Sequence, residues 1–197
     1  MYRFFIFILS LLGCVTLVLA SPTQVNAPKN INEYILNNGL KLIVVENHRS
    51  PVVLSSIWYK VGGSYEHNGI TGLSHMLEHM MFKGTKHYKS GVLKKMVANA
   101  GGKQNAMTTP DFTMYYQELP ANQLKMSIRL EADRMHNLIL SEKSFQHEKQ
   151  VVTEERRMRI DDNPQALAWV RFRSTAFINS PYRHPVIGWK TDIKNYR

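Results

Sequence analysis

The chain has 197 residues, with 44% hydrophobic and 20% charged side chains, a composition that excludes a disordered or fibrous protein and allows one ordinary core. Its single cysteine, Cys14, excludes a disulfide, a thiolate metal site and cysteine-based catalysis from everything after that position. The 25 Lys and Arg against 15 Asp and Glu give a formal charge of +10, but they are scattered and not interleaved with aromatic residues, which reads as a solvated surface without a nucleic-acid partner.

Arg3 precedes an uncharged run from Phe4 to Leu19. The run is shorter than the roughly 20 residues that span a bilayer. It ends on Ala20 before Ser21 and Pro22, so residues 1–20 read as a cleaved secretory signal and the mature chain as secreted or periplasmic, with no stable membrane span. Membrane anchoring, or lipidation at Cys14 in Leu11-Leu12-Gly13-Cys14, is the alternative. Residues 21–32, with two prolines and small polar residues, read as a linker, and residues 33–197 as the domain.

Tyr34 to Leu36 and Leu40 to Val45 flank Asn37-Asn38-Gly39, the pattern of a hairpin. Val52 to Val61 is a third β-rich run closed by Gly62-Gly63. The period then changes: Gly69 to Phe82 and Val92 to Ala100 are helical, and Gly101-Gly102 stops the second. Lys103 to Thr109 and Phe112 to Leu119 read as strands around the turn residues Pro110-Asp111. Asn122 and Ser141 are candidate caps for the next two helices, and Pro164 fits the first turn of another. Hairpins mixed with helices predict an α+β domain in which an antiparallel-rich sheet is covered by helices.

On a helical wheel with His75 at zero, His79 falls at about 40° and Glu78 at about 300°, one face of the helix. Leu73, Met76, Leu77, Met80 and Met81 fall on the opposite face. Two imidazoles one turn apart suit one metal ion, and the glutamate between them can reach a water on that ion. A zinc site then needs a third ligand. On a wheel with Glu148 at zero, Phe145, Val151, Val152, Glu155 and Met158 share one inward face, whereas Glu154 falls at its border, near 240°. A carboxylate among such neighbours needs a cation or donors to compensate it, which selects Glu155 over Glu154. The remaining histidines, His48, His67, His87, His136, His147 and His184, read as surface or loop residues, and Trp169, Trp189 and Phe172 as packing.

His75-Met76-Leu77-Glu78-His79 matches the HxxEH pattern of inverzincins, and from about Glu33 onward the chain resembles the pitrilysin and insulinase family of zinc metallopeptidases. That family includes mitochondrial processing peptidases and bacterial periplasmic members. The resemblance extends over Gly62-Gly63-Ser64, Gly101-Gly102, Asn105 to Thr108, Glu131 to Met135, Glu148 to Glu155 and Pro185 to Gly188. It implies a zinc endopeptidase of peptides or unfolded proteins with Zn2+ on His75, His79 and Glu155, the last 76 positions beyond His79. Glu78 would be the general base, and Glu148 would orient His79 or His75 from behind the metal. Substrate would add as a strand along a sheet edge near Gln104 to Thr108, with Asn105 and Ala106 as contacts. Family members continue past this length, so the resemblance also implies an incomplete N-terminal catalytic domain and a missing C-terminal half or partner subunit. The rival readings are a non-catalytic subunit of a two-subunit peptidase and a basic surface-binding module.

Overall fold

A computed structural model describes residues 30–196 of the chain. The segment read as a signal, with Cys14, lies outside the described residues, as does most of the linker. Among the described residues no helix is long and apolar enough to cross a membrane.

The contacts divide the chain after Arg49. The first unit contains the hairpin, β1 (Ile31–Ile35) paired antiparallel with β2 (Lys41–Val45) in the register Ile35↔Lys41. Its turn uses Gly39 at φ +81°, the left-handed conformation that the Asn-Asn-Gly sequence favours. β1 begins at Ile31, inside the predicted linker, because it pairs over its whole length with β2.

The second unit holds a three-stranded antiparallel sheet in the order β3-β5-β4: β3 is Val52–Tyr59, β4 Lys103–Thr108 and β5 Thr113–Pro120. β4 and β5 are joined by a tight turn in which Thr109 Oγ1 accepts from the backbone N–H groups of Asp111 and Phe112. Six helices surround it: α1 (Leu73–Met80), α2 (Val92–Asn99), α3 (Leu124–Asn137), α4 (Glu142–Arg156), α5 (Pro164–Ala176) and α6 (Lys190–Asn195). The predicted α+β class and antiparallel sheet hold.

One core lies under β5 and α3, where Val97, Leu119 and Leu130 are buried. The other joins α1, α4 and the C-terminal segment through Met76, Met80, Val152, Ile187, Ile193 and Tyr196. Burying each such side chain contributes about 1.5–3 kcal/mol before chain entropy is charged against it.

Ser141 caps α4, its hydroxyl accepting from the Ser144 N–H, and Asn163 caps α5 ahead of Pro164. Asn122 caps nothing: a single 3-10 turn, Ala121–Gln123, follows Pro120 and α3 begins only at Leu124. α4 runs into one wide π-type turn, Arg157–Asp161. That turn takes Met158 out of phase, so it is 60% exposed rather than inward. Val151 is also exposed, at the margin of the buried stripe.

Candidate metal centre

α1 starts four residues later than its periodicity suggests. Gly69 and Gly72 have φ +98° and +90°, so regular winding begins at Leu73. Two acids hold this start. Glu66 accepts from the N–H groups of Gly72 (2.5 Å) and Ser74 (2.6 Å), a negative charge at the positive end of the helix. Asp192, at the start of α6, accepts from the N–H groups of Gly69 (2.9 Å) and Thr71 (3.2 Å) and from the Thr71 hydroxyl (2.6 Å). Gly188 packs against the same turn so closely that a β-carbon there would lie 2.3 Å from the Thr71 carbonyl oxygen. Its own carbonyl accepts from Arg156 Nη1 of α4 at 2.6 Å. One residue thus ties the helix carrying HxxEH to the helix carrying Glu155.

That junction brings the predicted ligand atoms together. Donor atoms of His75, His79 and Glu155 all lie within 4.8 Å of one another. Glu155 Oε2 is 3.1 Å from His79 Nε2 and 3.8 Å from His75 Nε2. A tetrahedral ion with bonds of about 2.0–2.1 Å would hold its ligand atoms roughly 3.3 Å apart, so the observed separations bracket what zinc requires. Two neutral imidazoles and one carboxylate also match the preference of the ion. Glu155 is inward, its side chain 15% exposed, whereas Glu154 is 60% exposed and pairs with Arg157.

Protonation follows from these contacts. Burial, reinforced by the neighbouring His79, pushes the His75 imidazole down to about 4, so it is a neutral donor near pH 7. Its Nδ1 is buried without a hydrogen-bond partner among the described residues. The hydrogen bond to Glu155 raises the pKa of His79 and correspondingly lowers that of Glu155. Behind it, His79 Nδ1 lies 3.2 Å from Glu148 Oε2, which aims Nε2 at the ligand cluster. Of the two histidines left open for Glu148, the contact is with His79. Glu148 is also held by Lys83 Nζ at 2.5 Å and His147 Nδ1 at 3.0 Å. Burial works to raise its pKa, but these donors outweigh it and hold the carboxylate below its ordinary value.

Glu78 opens on the same cavity of about 580 Å³ as His75 and His79. The Thr108 hydroxyl of β4 donates to its Oε2. Burial raises its pKa, and the Thr108 hydrogen bond works against that rise. Ala106 and Met107 of β4 form the wall beside it, while Trp169 and Val170 of α5 form the facing wall. Asn105 does not line the cavity: it alternates to the exposed side, and its amide oxygen accepts from the N–H of Ala106.

Four residues escaped the sequence reading. Thr108 follows from the alternation of β4. Arg159, whose Nη1 lies 3.1 Å from Glu155 Oε1, sits at i+4 from it, a spacing that predicts pairing. Lys83 and Asp192 carry no local signal, since their partners are distant in sequence. Three residues read as bland differ from expectation: His184 is buried, and Trp169 and Phe172 are exposed and stacked on each other at 5.4 Å. His147 is at the surface as read, and its Nδ1 contacts Glu148.

Comparison with known proteins gives a consistent result. The family described as insulinase (peptidase family M16) matches residues 41–190. The zinc protease PqqE of Helicobacter pylori is 39% identical over 183 residues, covering 92% of this chain and 41% of that protein. The crystal structure of a protease from Helicobacter pylori superposes with a TM-score of 0.82 at 39% identity, over 85% of this chain and 40% of that one. A peptidase M16 inactive domain from Pseudomonas fluorescens has the same fold, with a TM-score of 0.77 at 16% identity, over 85% of this chain and 41% of that one. The chain therefore spans about two fifths of the length of the relatives it matches.

Proposed function

The chain belongs to the insulinase family, peptidase family M16, and we propose that it carries a working zinc site of that family, acting as an endopeptidase on peptides or unfolded proteins. The observation that carries this reading is the meeting of His75, His79 and Glu155 within 4.8 Å, in a cavity that Glu78 shares. His75 Nε2, His79 Nε2 and Glu155 Oε2 would hold the ion, and Glu148 would fix the ring of His79. Zinc, when bound, supplies a Lewis acid that polarises a carbonyl and lowers the pKa of water to about 7.

Glu78 is the general base. Thr108 fixes one of its oxygens, leaving the other to take a proton from water on the cavity side. Burial makes this carboxylate a stronger base than an exposed one, and after attack on the peptide carbonyl it returns the proton to the leaving amine. The peptide itself would lie along β4, an edge strand of the sheet and the one that lines the cavity, pairing with its free backbone groups. Ala106 would form part of the floor. Asn105, which faces away, would act only through its backbone.

The fold alone does not make an enzyme, because the Pseudomonas fluorescens domain shares it and is inactive. The complete donor set is what argues against a non-catalytic subunit here. The apolar run before Ala20 supports export to a secreted or periplasmic location. Peptide contacts from a further C-terminal half or a partner subunit would complete the substrate site.

The test is Glu78→Gln in the full-length protein, since residues 21–197 alone should bind zinc but cleave very poorly, assayed by metal analysis and by cleavage of unfolded peptides. Zinc content should stay at the wild-type level while cleavage falls by about 10² to 10⁴-fold, the usual worth of a positioned base. Undiminished cleavage removes Glu78 from the role.

A further inference from the structure

A second cavity, of about 290 Å³, is lined by Gln104 of β4 and by residues that follow α1 and open α2. Its apolar floor is Met81, Phe82 and Leu93, and its polar groups include Gln104, Ser90 and Lys94. None of these three side chains has a hydrogen-bond or ion-pair partner among the described residues, whereas Lys83, also in the wall, is held by Glu148.

Two features connect this cavity to the reaction. The first is the pleat of β4: Gln104, Ala106 and Thr108 alternate to one face of the strand. Thr108 touches Glu78, Ala106 lines the catalytic cavity, and Gln104 lines the second one. A peptide strand added to that edge would pass both cavities, Gln104 lying about 13 Å along it from Thr108, the partner of Glu78, at roughly 3.3 Å per residue. The second is charge. Between Glu78 and Asp111 the sequence has no acidic residue, but it has Lys83, Lys86, Lys89, Lys94, Lys95 and Lys103.

The geometry points to the second cavity as a subsite for an acidic side chain of the substrate, three to five residues from the cleaved bond, with Lys94 as the specificity-determining cation. It rests on the reading that substrate adds to β4. A glutamate fits best: its methylenes cover Met81, Phe82 and Leu93 while its carboxylate meets the Lys94 ammonium and the Gln104 amide. An apolar side chain would fill the floor and leave the lysine at the mouth without an anion.

The experiment measures binding, by fluorescence anisotropy, of labelled peptides to the zinc-loaded chain carrying Glu78→Gln. A single glutamate is moved through positions two to six residues on either side of the susceptible bond, with glutamine and leucine peptides alongside. One position should favour glutamate over glutamine about fivefold, the worth of an exposed ion pair, and less at high salt. Lys94→Glu should reverse that preference toward a lysine peptide, and Lys86→Glu, at an exposed lysine outside the cavity, should not. No glutamate preference, a preference for leucine, or a preference unchanged by Lys94→Glu overturns the subsite. Lys94-dependent binding by a full-length protein whose Glu78 form cleaves nothing would uphold the subsite and sink the hydrolytic reading instead.

Discussion

Replacing Gly188 by alanine tests whether the two metal-bearing helices are set by the contact between Gly188 and Thr71-Gly72. The residue has φ +92°, where a β-carbon costs about 1–2 kcal/mol. The new carbon would also lie 2.3 Å from the Thr71 carbonyl oxygen and 2.9 Å from the Gly72 α-carbon. Both are backbone atoms, so no side chain can swing away, and forcing the extra volume in adds about 1–3 kcal/mol. The sum, about 2–5 kcal/mol, is a large part of the roughly 5–15 kcal/mol that holds a domain together. Gly69→Ala is the control, since Gly69 has φ +98° but nothing within 4 Å of its would-be β-carbon. Urea unfolding with a chelator present should therefore show Gly188→Ala well below Gly69→Ala, the difference being the steric part. Zinc affinity, measured by competition with a chelating dye, should fall for Gly188→Ala in the fraction that remains folded. Equal stability of the two variants, together with an unchanged zinc dissociation constant, would refute the reasoning.

Two further outcomes are expected. Glu155→Gln should weaken zinc retention far more than Glu154→Gln, because only Glu155 meets the two imidazoles while Glu154 pairs with Arg157; metal analysis after dialysis reads this, and equal losses would contradict it. Acid should loosen the start of α1: burial works to raise the Asp192 pKa, but hydrogen bonds from Thr71 and Gly69 outweigh it and hold it below its ordinary value. A depressed carboxylate stabilises the fold above its unfolded pKa, about 3.9, and that contribution disappears as pH falls through the lower folded value. Asp192→Asn should thus lower stability at pH 6 and make the remaining acid sensitivity shallower below pH 4, as followed by urea midpoints.

The sequence carried the local part of the site. HxxEH fixes its own geometry, because residues four apart on a helix share a face, and the choice of Glu155 over Glu154 followed from the same 100° step. The cap at Ser141 and the first-turn position of Pro164 were legible for the same reason: the hydroxyl and the ring act within one turn. Interactions across long separations were not. Asp192 meets Thr71 across 121 positions, and neither residue announces the other. The start of α1 was misplaced because a hydrophobic period does not record that Gly69 and Gly72 are wound left-handed. Met158 was misplaced because the period assumes uniform winding, and the winding changes at Arg157.

That change of winding constrains more than one side chain. The wide turn holds one residue more than an α-turn, so losing one between Arg157 and Asp161 would restore regular winding with the path to α5 about 1.5 Å shorter, drawing α5 out of its present place. Trp169 and Val170 would then no longer face Ala106 and Met107 across the catalytic cavity. The number of residues separating Glu155 from α5 is accordingly part of the substrate cleft, and an insertion or deletion there should harm it more than many changes of residue type.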